Sequence, residues 1–393
     1  MLPVPISTAR PTALLDALAA ALSGAGPPIV PYAADGAPPA VPRVRPRQLP
    51  EGLAVVVSTS GSTGQPKLVM LTADNLLASA RAAHTVLGGP GSWLLAIPAH
   101  HVGGLQVLVR SILGSGPPTG LEGASGFTAQ RFVAAAGRMG QGTGPRYVSL
   151  VPTQVTRLLA DPRGRQTMAG FDAVLVGGAG TPAATRELAR AHGIRLVRTY
   201  GMSETAGGCV YDGMPLAVTE IHIDNDRHVV LGGATVAHGY LGQRERSADR
   251  FQTDADGVRW FRTDDLGHFD SDGRLSITGR ADDLIVTGGL KVAPGPVEDA
   301  LVRFVPGVRD AVVVGVPDPD WGQVVAAAVT VLTGRDAMPT VRDARAALRG
   351  ILPDHALPRV LRVLEQLPQL PSGKPDRVSL VGLLGARIGP DRR

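Results

Sequence analysis

The sequence predicts an α/β large N-terminal domain with parallel sheets and a small barrel-like subdomain, followed by a smaller α+β C-terminal domain. Three observations predict this architecture. Apolar strand-like runs alternate with helical patterns from Leu53 to Tyr211, which is typical of a largely parallel sheet covered by helices. After Tyr211 the strands shorten and turn residues separate them, and from about Ala281 a set of two helices and two strands follows. The predicted domains are therefore residues 1–280 and 281–393.

The first predicted elements surround a glycine-rich loop. LAVVVST predicts a buried strand, SGSTGQPK a loop, and LTADNLLASARAAHTVL a helix with Thr72 as its N-cap. Helical patterns then alternate with further apolar runs. The predicted strands are SWLLAIP, RYVSLVP, AVLVGGA and LVRTY, and the predicted helices are GLQVLVRSIL, TQVTRLLA and ATRELARAH.

The rest of the chain divides into two regions with different patterns of predicted strands and helices. The segments VTEIHIDNDRHVVLGG and GVRWFRTDDLGHFDSDGRLSITGR contain short strands with turns and predict an antiparallel or barrel-like unit. In the C-terminal domain VEDALVRF and VRDARAALRGIL predict helices, and DAVVVGVPD and QVVAAAVTVL predict strands. A last apolar segment, RVLRVLEQL, leads to the loop PSGKPDR.

Composition excludes several classes of protein. The net charge of +5 could serve an anionic partner, but the basic residues are spread out without aromatic interleaving, which disfavours nucleic-acid binding; a basic pI that only aids solubility is an equal alternative. A single cysteine, Cys209, excludes an internal disulfide and a thiolate metal cluster. The N-terminal residues do not resemble a signal peptide, and the longest uncharged stretch contains three histidines, so we expect no membrane span and a cytoplasmic protein. The oligomeric state is open, a homodimer included.

The lysines are unusually few. Only Lys67, Lys291 and Lys374 occur among 39 basic residues. Where arginine has replaced lysine almost everywhere, the remaining lysines are candidates for positions that need a compact ammonium on a flexible stem. Chance survival on the surface is the alternative for each one alone.

The strongest motif is the loop Thr59-Ser60-Gly61-Ser62-Thr63-Gly64-Gln65-Pro66-Lys67. Small residues expose backbone N–H groups, hydroxyls add donors, and a lysine adds one mobile charge, which together suit a polyphosphate. The loop is not a Walker A sequence, because Pro66 precedes Lys67 and Leu68 follows it. A flexible linker is the alternative for such a loop in isolation.

Six motifs in order resemble those of the adenylate-forming enzymes, which include acyl-CoA synthetases, luciferases and nonribosomal-peptide adenylation domains. The first is the phosphate loop. It is followed by the segments VGGA at 176–179, YGMSET at 200–205, FRTDDLG at 261–267, GRADD at 279–283 and PSGK at 371–374. The resemblance covers Thr59 to Arg377 and implies ATP and Mg²⁺ as cofactors, CoA as co-substrate, and a mobile C-terminal domain.

The resemblance assigns roles to individual residues. It implies phosphate binding by the loop, an adenine and ribose site around Tyr200 and Asp265, and a magnesium ligand at Glu204, since Mg²⁺ seeks carboxylate oxygen. Asp264 stands where the family usually has glycine. The phosphate-binding residues are Thr59, Ser60, Gly61, Ser62, Thr63 and Lys67, and the adenine- and ribose-binding residues are Gly177, Gly178, Ala179, Tyr200, Gly201, Asp265 and Arg280.

The same resemblance makes Lys374 the catalytic residue of adenylation. An ammonium delivered on a loop can stabilise the charge that develops when a carboxylate attacks the α-phosphate. The family's C-terminal domain swings about a hinge, here Asp282, and then presents a second face for thioester formation. Gly288 and Gly289 are implied to line the pantetheine path; Lys291 follows them with no assigned role.

The residues predicted for the acyl site are His101, Ser203 and Thr205. The pair His100-His101 could also bind a metal or act in a hydrolase dyad, but the sequence has neither a Gly-x-Ser-x-Gly elbow nor an HExxH motif. For His100 a packed or surface position is favoured.

Within the family, the compact length and the segments SWLLAIPAHHVGGLQVLVRS and YGMSETAGGCVYDGMPL resemble the actinobacterial o-succinylbenzoate–CoA ligases of menaquinone biosynthesis. The favoured substrate therefore carries two carboxylates, of which one is activated and one needs a cationic or hydroxyl partner; Arg146 is one suggestion. Two alternatives stay open: another adenylating enzyme, which activates a different acid or loads a carrier protein, and a non-enzymatic nucleotide-binding protein, which the retention of Lys67 and Lys374 disfavours.

Overall fold

The computed structural model describes residues 1–6, 12–59, 67–114, 116–121, 126–140, 144–331, 338–370 and 375–385. The strands are β1 (Leu2–Ile6), β2 (Ile29–Ala33), β3 (Leu53–Thr59), β4 (Lys67–Thr72), β5 (Ser92–Leu95), β6 (Thr119–Gly120), β7 (Arg146–Leu150), β8 (Ala173–Val176), β9 (Leu196–Met202), β10 (Gly207–Tyr211), β11 (Met214–Pro215), β12 (Thr219–Ile223), β13 (His228–Gly233), β14 (Gly239–Tyr240), β15 (Phe251–Thr253), β16 (Arg259–Phe269), β17 (Leu275–Arg280), β18 (Ile285–Thr287), β19 (Leu290–Val292), β20 (Val308–Asp318), β21 (Gly322–Val331) and β22 (Val360–Val363). The helices are α1 (Thr12–Leu22), α2 (Ala73–Leu87), α3 (Val102–Ile112), α4 (Ala129–Arg138), α5 (Pro152–Ala160), α6 (Pro162–Ala169), α7 (Ala183–Ala191), α8 (Arg244–Arg250), α9 (Pro294–Phe304), α10 (Val341–Leu348) and α11 (Arg377–Gly385). Short 3₁₀ turns span Pro46–Gln48, Ser203–Thr205 and Asp354–Ala356.

A seven-stranded sheet organises the large domain, in the order β11-β10-β9-β8-β7-β5-β6. The strands from β6 to β9 are parallel, as the sequence predicts, and β10 and β11 add an antiparallel edge. Successive side chains of β5 enter different cores: Trp93 and Leu95 pack towards α2 and α3, and Leu94 packs towards α4 to α6. Burial on both faces explains why these strands are continuous apolar runs.

The first sheet is mixed, in the order β1-β2-β3-β4-β14. Here the sequence prediction needs a correction, because the helix expected from Leu71 onward is preceded by a second strand, β4, antiparallel to β3. The four apolar residues 68–71 are all buried, as in a strand covered on both faces. The predicted cap is confirmed: Thr72 Oγ1 accepts a 3.2 Å hydrogen bond from the backbone N–H of Asn75 at the start of α2.

The segment after Tyr211 forms an antiparallel sheet. β13 lies between β12 and β16, and β16 also pairs with β15 along its first half and with β17 along its second half. Because β16 is eleven residues long, it can pair with three neighbouring strands. Asp264 and Asp265 lie in this strand, where it turns from one partner to the next.

The C-terminal part combines the sheet β19-β18-β21-β20, with β22 on β21, and three helices. The four predicted elements are confirmed as α9, β20, β21 and α10. Alternate residues of β20 face opposite sides: Val313 packs with α9 and α10, while Val312 and Val314 pack with α11. Helix α11 was not predicted, and it covers the second face of the sheet.

The structure shows the surroundings of the single cysteine and the lengths of the helices. Cys209 is fully buried in β10, and burial raises the pKa of its thiol to about 12, which makes it a poor nucleophile. None of the helices in the described ranges combines the length and apolar character needed to cross a lipid bilayer.

The carboxyl ends of the parallel strands define one edge of the large domain. The chain leaves β5 towards His101, β8 towards Gly177, and β9 towards Ser203. In open α/β sheets, ligands bind in the crevice beyond these ends. The residues singled out from the sequence at the ends of β5, β8 and β9 therefore lie on the expected side of the sheet.

Candidate active site

Glycines let the backbone segments after β8 and β9 approach closely. A methyl group on Gly177 would lie 2.4 Å from Thr199 Oγ1, and one on Gly201 would lie 2.1 Å from the carbonyl oxygen of Gly207. Gly178 has φ of +85°, a left-handed conformation that favours glycine. Gly178 and the next residue, Ala179, are exposed, so this edge of the crevice is lined by accessible backbone.

The adenine and ribose candidates form one hydrogen-bonded cluster. Tyr200 donates from its hydroxyl to Asp265 Oδ2 at 2.7 Å, and Arg280 Nη1 lies 3.3 Å from Asp265 Oδ1. Asp265 and Arg280 are cross-strand partners in β16 and β17. Burial, together with the charge of Asp265, raises the pKa of Tyr200 well above its ordinary value, so Tyr200 remains a protonated donor.

Asp264, the departure from the family pattern, is compensated by two arginines. Arg250 Nη1 lies 2.7 Å from Asp264 Oδ1, and Arg280 Nη2 lies 3.6 Å from Asp264 Oδ2. Arg280 also donates to both oxygens of Asp282, each at 2.8 Å. The predicted hinge residue is thus joined through Arg280 to the predicted ribose site.

A second cluster surrounds Glu204, which lies in the 3₁₀ turn after β9 and is 8% exposed. Tyr240, 2% exposed, donates from its hydroxyl to Glu204 Oε1 at 2.9 Å. The Nζ atom of Lys67 lies 5.5 Å from the centroid of the Tyr240 ring. Burial lowers the pKa of Lys67 and the negative charge of Glu204 opposes that shift. Burial and the same carboxylate raise the pKa of Tyr240.

The predicted phosphate loop starts and ends beside this second cluster. Thr59 and Lys67 are cross-strand partners at the ends of β3 and β4, with Thr59 Oγ1 lying 3.5 Å from the carbonyl oxygen of Lys67. The intervening Ser60, Gly61, Ser62 and Thr63 lie outside the described residues, as does Lys374. The loop therefore connects two antiparallel strands, and Lys67 begins the second of them.

The predicted acyl-site residues have different environments. Ser203 is nearly buried, and Thr205 is completely buried. The hydroxyl of Thr205 accepts from the backbone N–H of Met202 at 3.0 Å and donates to the carbonyl of Gly207 at 2.8 Å. Thr205 thus stabilises the turn that holds Glu204, and a role for it at the acyl site stays a prediction.

The two histidines lie where the chain passes from β5 to α3. His101 is the N-cap residue of α3, and its ring centroid lies 4.2 Å from that of His100. Burial lowers the pKa of His100, so its imidazole is neutral at pH 7. His101 lies at the carboxyl edge of the sheet, and His100 packs beside it. The role of His101 at the acyl site stays a prediction.

The suggestion that Arg146 binds a second carboxylate is contradicted by the structure. Arg146 begins β7, so it lies at the amino end of a parallel strand and on the far side of the sheet from the crevice. Its Nη2 donates to the carbonyl of Ala136 at 2.7 Å, and its guanidinium lies over the ring of Phe171. Arg146 therefore packs against α4 and against Phe171, which follows α6.

The C-terminal candidates lie on two other elements. Gly288 and Gly289 form the turn between β18 and β19, with φ of +56° and +80°, and a methyl group on Gly288 would lie 2.7 Å from the ring of Trp321. Lys291 lies in β19. At the start of α11, Arg377 Nη2 donates to the partly buried Glu298 at 3.0 Å.

Arg377 also reaches the hinge. Its Nε lies 3.5 Å from Asp283 Oδ2, and Asp283 directly follows the predicted hinge residue Asp282. Arg377 is three residues beyond Lys374. One side chain therefore connects the segment after the predicted catalytic loop to the residue that follows the predicted hinge.

The donor set limits the metal chemistry that the site can support. Within the described ranges, no group of three or more histidine, cysteine, aspartate or glutamate side chains is arranged to hold a metal ion. Glu204 therefore offers a single carboxylate. That arrangement suits Mg²⁺, which commonly keeps water and substrate phosphates as its other ligands.

Comparison with known protein families decides the relationship. The AMP-binding enzyme family matches residues 10–241, and the C-terminal domain of AMP-binding enzymes matches residues 296–374. The chain belongs to the AMP-binding enzyme family. The resemblance found in the sequence is thereby confirmed, and so is the predicted order of a large and a small domain.

Relatives of this AMP-binding enzyme include a probable 2-succinylbenzoate–CoA ligase of Mycobacterium tuberculosis, 46% identical over 336 residues and covering 85% of each chain. Among solved structures, o-succinylbenzoate CoA synthetase from Bacillus subtilis, in complex with the acyl-adenylate intermediate, is 27% identical. It matches with a TM-score of 0.69 over 84% of this chain and 69% of that one. ATP-bound MatB from Rhodopseudomonas palustris is 25% identical and matches with a TM-score of 0.74 over 97% and 78%.

Two residues of the site were missed from the sequence. Tyr240 contacts Glu204 across 36 residues, and Arg250 reaches Asp264 from α8. Tyr240 follows Gly239 in a two-residue strand, and nothing in that short segment points to a carboxylate elsewhere. Only the pairing of β14 with β4 brings it beside Lys67.

Proposed function

We propose that this AMP-binding enzyme is an ATP-dependent o-succinylbenzoate–CoA ligase. It would adenylate the carboxylate with release of pyrophosphate and then form the CoA thioester, a step of menaquinone biosynthesis. The observation that carries the proposal is the pair of clusters at one edge of the sheet, Tyr200–Asp265–Arg280 and Tyr240–Glu204–Lys67. The 46% identical relative supports the choice of acid.

The first cluster suits the nucleoside of ATP. The accessible backbone at Gly178 and Ala179 can approach the edge of an adenine ring, and Tyr200 offers an aromatic face beside it. Asp265 can accept from the ribose hydroxyls once they compete with its present donors, Tyr200 and Arg280. The ligand would exchange one set of hydrogen bonds for another, with little change in buried charge.

The second cluster suits the phosphates. Lys67, at the end of the phosphate loop, is an ammonium that burial has partly dehydrated, which strengthens its attraction for an anion. Glu204 would hold Mg²⁺ together with phosphate oxygens, and the ion would supply charge neutralisation there. Thr59 and the loop residues Ser60 to Thr63 would add donors around the same oxygens.

The reaction has two half-reactions, and Lys374 is assigned to the first. A carboxylate oxygen attacks the α-phosphorus, and the bond to the pyrophosphate oxygen breaks. In the second, the sulfur of CoA attacks the acyl carbonyl carbon, the thiol proton is lost, and AMP leaves. Asp282 would be the hinge between domains 1–280 and 281–393, so that Lys374 serves one half-reaction and the Gly288–Gly289 turn serves the other.

Lys374→Ala tests this assignment. Adenylation should fall by about 10²- to 10³-fold, the magnitude expected for losing one group that stabilises developing charge. Thioester formation from supplied acyl-adenylate and CoA should stay within a few-fold of wild type. Pyrophosphate release measures the first half-reaction and CoA thiol consumption the second. Equal loss of both would refute the division of labour between the two faces.

The choice of substrate is tested by pyrophosphate release with o-succinylbenzoate, substituted benzoates and fatty acids, each with and without CoA. We expect o-succinylbenzoate to give the highest kcat/KM and CoA to convert the adenylate to a thioester. Faster reaction with another acid would replace the substrate proposal. Release without thioester formation would favour a carrier-loading enzyme. A cytoplasmic location and a homodimer stay predictions.

A further inference from the structure

Tyr240 is the residue that joins the two charged groups of the second cluster. Its hydroxyl donates to Glu204 at 2.9 Å, and its ring centroid lies 5.5 Å from the Lys67 ammonium. A cation within about 6 Å of an aromatic centroid is attracted by the ring. One side chain thus contacts both the proposed metal ligand and the proposed phosphate ligand.

The backbone fixes Tyr240 beside the phosphate loop. β14 pairs antiparallel with β4, with Tyr240 opposite Val69, and Leu241 donates to the carbonyl of Leu68 at 2.8 Å. Lys67 is the residue before Leu68. The position of Tyr240 relative to Lys67 is therefore set by ladder hydrogen bonds, which are stiffer than side-chain packing alone.

Packing fixes the ring itself. Phe251 meets it edge-to-face, with centroids 5.2 Å apart and planes at 73°. Ser247 accepts from the backbone N–H of Tyr240 at 2.9 Å. The residue is 2% exposed, so the hydroxyl has little freedom to leave Glu204 for water.

A second positive charge lies on the same ring. The guanidinium of Arg246, in α8, is 5.7 Å from the Tyr240 centroid. Its Nη1 donates to the neutral side chain of Gln243 at 3.4 Å. The ring therefore spaces two cations that would otherwise compete for Glu204, and the hydroxyl fixes how that carboxylate is oriented.

We propose that Tyr240 is a positioning residue of adenylation, which orients Glu204 for the metal–phosphate complex and keeps Lys67 directed at the phosphates. This inference rests on the proposed function of the site. Without the hydroxyl, Glu204 can rotate towards Lys67 or Arg246 and form an ion pair. Such a pair would withdraw the carboxylate from the metal and the ammonium from the phosphates together.

The test is Tyr240→Phe, which removes the hydroxyl and keeps the ring. The readout is the affinity for α,β-methylene-ATP, an analogue that cannot release pyrophosphate, by calorimetry with Mg²⁺ and with EDTA. We expect the affinity of the variant for the analogue in Mg²⁺ to be about tenfold lower than that of wild type. A loss of this size corresponds to one hydrogen bond to a charged group. Its affinity in EDTA should stay within twofold of wild type.

Tyr147→Phe is the matched control. Tyr147 is also buried, and its hydroxyl donates to the carbonyls of Leu87 and Gly89, far from the crevice. It should change the melting temperature without changing the ratio of the two affinities. If Tyr240→Phe binds with the same ratio as wild type, or loses affinity equally with and without Mg²⁺, Tyr240 is only a core residue.

This binding measurement needs no acid substrate. A failure of the o-succinylbenzoate assay would therefore refute the substrate proposal and leave the role of Tyr240 to be decided by the calorimetry. Conversely, full activity with o-succinylbenzoate and an unchanged affinity ratio would refute the role of Tyr240 alone.

Discussion

The site contains two tyrosine–carboxylate pairs that look alike and differ in one respect. Tyr200 bonds Asp265 and Tyr240 bonds Glu204, at 2.7 and 2.9 Å, and both carboxylates are 8% exposed. Asp265 has its second oxygen beside Arg280. Among the described residues, Tyr240 is the one donor to the Glu204 side chain, and the nearby cation Lys67 contacts the tyrosine ring.

This difference separates two kinds of recognition. Asp265 already has its charge compensated, so it can exchange donors with a neutral sugar without a large electrostatic change. Glu204 has no ion-pair partner among the described residues and an oxygen that no described group bonds, so it favours a cation. The first pair is therefore suited to shape and hydrogen bonding, and the second is suited to charge.

The largest expected effect comes from Glu204→Gln, which preserves shape and a hydrogen-bond acceptor for Tyr240. We expect kcat/KM for adenylation to fall by about 10²- to 10³-fold, as when one preorganised charged group is removed. Pyrophosphate release measured across a range of Mg²⁺ concentrations should show a much higher metal requirement. If the variant needed no more Mg²⁺ than wild type, the charge of Glu204 would have no special function and the contrast between the pairs would fail.

Asp265→Asn should have a smaller effect of another kind. The KM for ATP should rise by about 10- to 100-fold, because the ribose hydroxyls would lose a charged hydrogen-bond acceptor. The Mg²⁺ requirement should be unchanged, since the metal is held elsewhere. A rise in the Mg²⁺ requirement equal to that of Glu204→Gln would mean that the two pairs act as one unit.

The smallest effect concerns pH and Lys67. Burial lowers the pKa of Lys67, so its charge is lost as the pH rises through a value below its ordinary 10.5, and kcat/KM for ATP should fall a few-fold on the alkaline side. Stability has the opposite sign. Between the folded and unfolded pKa values the unfolded chain binds more protons, so the contribution of Lys67 to the unfolding free energy rises with pH.

Lys67→Arg isolates this titration, because a guanidinium stays charged throughout. The variant should lose the alkaline fall in kcat/KM that is due to Lys67, and chemical denaturation at each pH gives the stability difference. An alkaline fall identical in both proteins would assign the titration to another group. The variant also tests whether lysine survives at this position because an ammonium is needed.

Local patterns predicted most of the elements around the site. The N-cap Thr72, the parallel strands and the C-terminal α/β elements all have signals within a few residues of sequence. β4 was missed because its four apolar residues run without a turn signal into the helix that follows. Helix α11 was missed because its apolar residues follow the catalytic-loop motif so closely.

The site residues also divide into those that a local sequence motif predicts and those that only tertiary contacts bring to the site. Four site residues belong to motifs that can be recognised in the sequence, and the structure brings them together at one edge of the sheet. They are Tyr200, Glu204, Asp265 and Arg280. Tyr240 and Arg250 act through tertiary contacts, and no local pattern reports such contacts. The error at Arg146 was avoidable, because a residue at the amino end of a parallel strand lies on the wrong side of the sheet for this crevice.

Arg377 has a consequence for the geometry of domain movement. It bonds Glu298 in α9 and lies 3.5 Å from Asp283, so the start of α11 is anchored both to the body of the small domain and to the residue after the hinge. If Asp282 is the hinge, as proposed, α9 and α11 would turn together when the small domain moves, because Arg377 joins both helices to the residue that follows Asp282.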